Sequence, residues 1–235
     1  MRRTLWLIVL AALIGAGETT TPKPLLHAHS HNDYEHKRPL LDALDQGFCN
    51  VEADVHLIQN TLLVGHDPRE LRPDRTLESL YLDPLRQRIQ QNHGRVYPNG
   101  PTVTLMIDVK SDAPSTYTAL KKVLEPYHDL LTVFKGDTIE PGAITIVISG
   151  NRDRKTMANE QVRYAALDGR LQDLDANPPP PASLVPWVSA AWTSVFKWRG
   201  TGPMSDEDTA KLKSLVEKAH TQHRLTSRRT PPPRR

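Results

Sequence analysis

Apolar residues come in short dense runs separated by amphipathic segments. Pro24–Ala28, Asn50–Leu57, Val103–Val109 and Ala143–Ser149 read as strands, the third a dense apolar run and the fourth nearly all β-branched. Tyr164–Leu167 and Trp187–Ala190 are weaker examples of the same kind, and Thr61–Gly65 returns from the second strand as a hairpin-like excursion. Between them lie helical stripes. Leu40, Leu41 and Leu44 share one face of Pro39–Gln46, which Gly47 stops. Leu77, Leu80, Leu82, Leu85 and Ile89 mark Thr76–Gln91, and Leu120, Val123, Leu124, Tyr127 and Leu131 mark Thr116–Leu131. Arg152–Asn159 is a short helix. Ser205–His220 is a longer one, capped by Ser205 and faced by Leu212, Leu215, Val216 and Ala219.

Strand and helix alternate about six times along the chain. Apolar strands between amphipathic helices predict an α/β fold, a parallel sheet with helices outside. About six units are two short of a closed eight-stranded barrel, which typically takes about 250 residues. Pro178–Pro181 is a rigid connection. From Thr221 to Arg235 the chain is basic and proline-containing with no apolar period, so a disordered tail is expected there.

Composition changes this picture at the ends. Residues 1–17 read as a secretory signal: Arg2 and Arg3, the apolar run Leu5–Ile14, then Gly15-Ala16-Gly17. Export to a secreted or periplasmic location is expected, with an uncleaved N-terminal anchor as the alternative; the run is short for a bilayer span of roughly 20 residues. The domain proper is 18–220. Removing the two arginines of the signal and the five after Thr221 takes the formal charge from +3 to −4 for Glu18–His220. The body is mildly acidic, so a nucleic-acid partner is not expected. Cys49 is the single cysteine and reads as a buried thiol.

The reactive residues gather at strand ends. Glu52 and Asp54 are two apart on one strand and share a face. Two carboxylates on an apolar strand repel each other and are costly to desolvate, and a divalent cation resolves both problems. Oxygen ligands favour Mg²⁺ or Ca²⁺. Asp108 ends the third strand and could complete a three-carboxylate site; Lys110, two further on, could hold a phosphate. His27, His29 and His31 alternate into a loop, and His66 stands in Gly65-His66-Asp67. Two imidazoles beside a metal suit phosphodiester cleavage, one as base to the attacking hydroxyl and one as acid to the leaving alkoxide.

Pro24–Asp67 with Met106–Asp112 resembles the phospholipase-C-like phosphodiesterase superfamily, of glycerophosphodiester phosphodiesterase-like type. His29-Ser-His31-Asn32-Asp33-Tyr34 is similar to the branch of the fungal altered-inheritance-of-mitochondria protein. The resemblance implies a TIM-type (β/α) barrel, incomplete here at the C-terminus. It implies metal ligands Glu52, Asp54 and Asp108, a catalytic His66, and His29 or His31 as the other catalytic histidine. Of the pair, His31-Asn32 occupies the family's His-Arg position, while His29 with Asn32 three residues on matches the venom phospholipase D relatives; both are carried forward. Lys110 and Asn32 fall at substrate-phosphate positions. The His-Arg-Gly and Glu-Asn-Thr motifs of the main phosphodiesterases are absent, and the seventh and eighth strands are missing from the pattern.

The expected function is a secreted phosphodiesterase using one divalent ion on a glycerophosphodiester or phospholipid head group, meeting a membrane only through its substrate. One alternative is a zinc amidohydrolase-type enzyme begun by His27-x-His29 or His29-x-His31. Its further histidines are wanting, since the later strands offer Ser149, Tyr164 and Ser189. The other is non-enzymatic: a truncated, inactive remnant or a binding module.

Overall fold

A computed structural model describes residues 22–229. The proposed signal, 1–17, lies outside these residues. In chain order the strands are β1 (Leu25–Ser30), β2 (Phe48–Ile58), β3 (Thr61–Val64), β4 (Val103–Val109), β5 (Val133–Lys135), β6 (Thr138–Glu140), β7 (Ile144–Gly150), β8 (Val162–Arg163), β9 (Ala165–Gly169), β10 (Trp187–Ala191) and β11 (Leu225–Arg229). The helices are α1 (Leu41–Asp45), α2 (Asp83–Gln91), α3 (Ala113–Leu124), α4 (Arg154–Asn159), α5 (Leu171–Asp175), α6 (Trp192–Val195) and α7 (Asp206–Thr221). No helix among the described residues is long and apolar enough to cross a membrane.

The main sheet runs β1-β2-β4-β7-β9-β10-β11, every pair parallel, with β3 antiparallel on the end of β2. It is strongly curled. His29 on β1 and Trp187 on β10 are separated by four strands, yet their rings lie 6.2 Å apart. In a flat sheet five strand spacings would put them about 24 Å apart. The result is an open half-barrel, as a partial TIM-type barrel requires. Among the described residues no ladder joins β1 to β11; a cavity of about 280 Å³ opens there, lined by Leu26, His27, His29, Asn50, Trp187 and Leu225.

Strand period two sorts the residues. Val51, Ala53 and Val55, Leu105 and Ile107, Ile146 and Ile148, and Ala165 and Leu167 face the helices and share one core with Leu85, Leu120, Met157 and Leu174. Fully burying such an aliphatic side chain contributes about 1.5–3 kcal/mol. The alternate residues face the lumen. Among the described residues Met106, Val147 and Trp187 form an apolar cluster there, with Ala166 beside Val147, and most other positions are polar: Asn50, Glu52, Asp54, Thr104, Asp108, Ser149, Asp168 and Ser189. Cys49 is buried at the start of β2, and burial pushes its thiol up.

Several elements differ from the sequence reading, each for a local reason. The helix expected over Thr116–Leu131 starts earlier, where Asp112 caps α3, and ends at Leu124. Pro126 follows, and Glu125–Leu130 tightens into a 3₁₀ turn. Thr76–Gln91 splits into a wide π turn at Glu78–Leu82 and α2, because Pro84 has no N–H for the normal ladder. β5, β6 and β8 form a small antiparallel sheet too short and polar to show a period. The expected disordered tail is corrected at its start. α7 runs to Thr221, and Leu225–Arg229 pairs in parallel with β10 in register Trp187 to Leu225. Arg224, read as part of a solvated basic arm, is buried, its guanidinium donating to the Val185 and Pro180 carbonyls. Residues 230–235 lie outside the described residues.

Candidate metal and acid–base centre

The site stands at the C-terminal ends of β2 and β4. Their register sets Asp54 opposite Asp108 and Glu52 opposite Met106, so all three carboxylates enter the lumen. Each offers an oxygen within 4.8 Å of the others, and all three residues are buried, at 2%, 1% and 5% exposure for Glu52, Asp54 and Asp108. Asp54 Oδ2 accepts from the Tyr34 hydroxyl at 2.8 Å and contacts His66 Nδ1 at 2.7 Å and Lys110 Nζ at 3.0 Å. Lys110 also lies 3.5 Å from Asp108 Oδ2. Asp54 Oδ1 is buried with no hydrogen-bond partner. The Lys110 ammonium cancels one of the three charges, and a divalent cation would cancel the other two. An orphaned carboxylate oxygen in an all-oxygen cluster fits such an ion.

The hairpin explains why His66 arrives. β3 returns antiparallel on β2, pairing Val64 with Val55, and the Gly65 N–H donates to the Asp54 carbonyl at 3.1 Å. The next side chain therefore stands over Asp54. His56, buried below, bonds the His66 carbonyl at 3.2 Å. The His66 ring is half exposed, its Nδ1 turned to Asp54 and its Nε2 left for a ligand.

The two histidines carried forward part company. His29 Nε2 bonds Glu52 Oε2 at 2.8 Å, and its ring is mostly buried, with Nδ1 orphaned. His31 lies beyond the end of β1, and among the described residues it makes no hydrogen bond with the carboxylates. Asn32 sits in the left-handed region at φ 50° and donates to Glu35 at 3.3 Å, away from the cluster. Glu52, Asp54, Asp108, Lys110, His29 and His66 are thus brought together, and His31 and Asn32 stay in the adjoining turn.

Tyr34 and Asp33 belong to the His29–Tyr34 motif, but the sequence assigned neither a role in the centre. Burial, then the Asp54 carboxylate, pushes the Tyr34 phenol far above its ordinary value, so it remains a donor to Asp54. Asp33 is fully buried and accepts from Ser30, Tyr81 and the Leu40 N–H at 3.0, 3.1 and 2.5 Å. It pins the loop that carries Tyr34 and holds Leu40 at its unusual φ of 63°. The signal for both residues is their place in the motif His29-Ser-His31-Asn32-Asp33-Tyr34, which names no partner for either. Of the tryptophans, Trp187 lines the lumen, whereas Trp192 and Trp198 pack on each other and Trp192 on Phe196.

Gly150, just past Ser149, keeps Asp108 in place. Its φ is +66°, and a Cβ there would overlap Asp108 Oδ1 and the Val109 carbonyl. Gly150→Ala is expected to cost about 2–4 kcal/mol in a urea melt, since it combines a left-handed backbone with a backbone clash.

A family model for the AIM6-like phosphodiesterase domain matches residues 19–168, which hold every residue of this centre. The chain belongs to the AIM6-like phosphodiesterase domain family. Altered inheritance of mitochondria protein 6 homolog of Arthroderma benhamiae is 32% identical over 168 residues, 62% of this chain and 54% of the relative. Altered inheritance of mitochondria protein 6 of Eremothecium gossypii is 36% identical over 172 residues, 65% of this chain and 44% of the relative. The protein of that name in Candida glabrata is 28% identical over 256 residues, covering 86% and 60% of the two chains. The chain spans about half the length of these first two relatives. No solved structure matches it significantly. The AIM6-like assignment fits a phosphodiesterase-type fold with its carboxylates and histidines at the strand ends.

Proposed function

We propose that this chain is an exported, metal-dependent phosphodiesterase acting on a glycerophosphodiester or phospholipid head group. The observation that carries the reading is the union of three buried carboxylates within 4.8 Å with two histidines bonded to them, His29 to Glu52 and His66 to Asp54. Glu52, Asp54 and Asp108 would hold one Mg²⁺ or Ca²⁺, an ion that neutralises the non-bridging phosphate oxygens when bound. Lys110, on the rim between Asp54 and Asp108, adds a fixed positive charge for the same phosphate.

His66 and His29 form the acid–base pair. Each gives one nitrogen to a carboxylate, which orients the ring and raises its basicity; the half-exposed His66 turns its other nitrogen to substrate, while His29 Nδ1 lies buried and would have to be uncovered as substrate enters. One removes the proton of the attacking hydroxyl, and the other returns a proton to the leaving alkoxide. Trp187, 6.2 Å from the His29 ring, gives that side of the lumen an apolar wall that limits water.

The test is hydrolysis of a panel of glycerophosphodiesters and lysophospholipids by the full chain. EDTA treatment is expected to abolish turnover, with Mg²⁺ or Ca²⁺ restoring it and Zn²⁺ failing to. Restoration by Zn²⁺ alone would point to a zinc hydrolase instead. A cooperatively melting chain with no turnover in any metal would make it a binding module.

A further inference from the structure

A second polar cluster lies in the lumen beyond the carboxylate centre. Asp168, fully buried near the end of β9, gathers three donors on Oδ2: Ser149 Oγ at 2.7 Å from β7, Ser189 Oγ at 2.6 Å from β10, and Arg170 Nη1 at 2.6 Å. Arg170 Nη1 also reaches the Gly169 carbonyl at 2.9 Å and Ser189 Oγ at 3.3 Å. All its bonds among the described residues run through this one nitrogen, and its side chain is 31% exposed. The guanidinium is therefore held by Nη1, and among the described residues Nε and Nη2 make no hydrogen bond. Arg152, from the turn after β7, is anchored next to it by Nη1 on the Asp168 carbonyl at 2.8 Å. One carboxylate with two guanidinium groups leaves the cluster net positive.

The two serine hydroxyls bond Oδ2, and the Arg170 ion pair supplies the countercharge a buried carboxylate needs. What it produces is a held arginine with a free fork, the geometry that takes phosphate or carboxylate two bonds at a time. Its place is informative as well. β4 and β9 flank β7 on either side, so Asp108 and Asp168 stand two strand spacings apart, about 10 Å. Arg170 thus rises from a different strand end than the carboxylates, within the span of one small substrate.

We propose that Arg170, seated on Asp168 and flanked by Arg152, binds a second anionic group of the substrate. The substrate class is then a phosphodiester that carries a further phosphate or carboxylate on one of its alcohol moieties. This specificity rests on the phosphodiesterase reading, whereas the anion site itself can be measured without turnover.

The experiment is calorimetric titration of the full chain, with Mg²⁺ present, using hexanediol bisphosphate and hexyl phosphate as probes. The wild-type chain is expected to bind the bisphosphate about tenfold tighter, the return on one added charge-assisted fork. Arg170→Met is expected to erase the preference and leave hexyl phosphate affinity unchanged. Arg170→Lys keeps the ion pair to Asp168 and loses the fork, so a weakened preference is expected. It decides the matter if the methionine variant melts early. An undiminished preference in either well-folded variant, or no preference in the wild type, overturns the proposal. Preference without diester hydrolysis would sink the hydrolase reading and leave this site standing, and hydrolysis without preference would do the reverse.

Discussion

Replacing His66 by alanine is expected to lower kcat/KM for the diester by about 10²–10⁴-fold, the usual share of one general acid–base group. The ring is half exposed and its one bond within the centre is to Asp54, so its removal leaves no cavity and strands no buried donor. The melting temperature should therefore stay within a degree or two of wild type, about the shift of a surface substitution. Loss of turnover with an unchanged melt is the signature of a group that acts on the substrate. Retained turnover would remove His66 from the acid–base pair and leave His29 to act with another group.

Asp54→Asn should be more severe, because Asp54 joins every part of the centre. Its Oδ2 serves Tyr34, His66 and Lys110 together, and its Oδ1 is the orphaned oxygen that would ligate the proposed ion. Asparagine keeps the shape and one acceptor but removes the charge. Turnover is expected to fall by at least about a thousandfold, or about 4 kcal/mol. The accompanying physical readout is thermal. At a hundredfold excess over its Kd, a bound ion stabilises the wild type by about 2.7 kcal/mol. Asp54→Asn should abolish that Mg²⁺-dependent rise in melting temperature. A full Mg²⁺ shift in the variant would mean that the ion binds elsewhere.

The residues of the centre were legible where they lie close together along the chain or end a dense apolar strand. Glu52, Asp54 and His66 fall within one hairpin, and Asp108 closes the strand beside it. What the sequence could not resolve was direction. His29 and His31 share a strand parity, and only the end of β1 at Ser30 separates the ring that reaches Glu52 from the one left in the turn. Tyr34 was missed because its partner is 20 residues away and nothing local marks its hydroxyl as a donor to Asp54. Asp168 lay just past the weak apolar run that ended at Leu167, and its three donors come from three separate segments. β11 was missed for a related reason. Leu225–Arg229 has no apolar period, and what makes it a strand is the unpaired edge of β10.

The open side of the half-barrel has a consequence for motion. The carboxylates stand on β2 and β4, strands hydrogen-bonded on both sides, whereas among the described residues β1 is bonded only to β2 and its Leu25, Leu26 and His27 are exposed. Local opening would therefore begin at β1, and its amides should exchange with solvent well before those of β4. Such an opening detaches His29 from Glu52 and leaves the three carboxylates where they are. The centre is thus built of parts with different lifetimes: an anionic cradle that persists as long as the fold does, and one histidine that comes and goes with the edge strand.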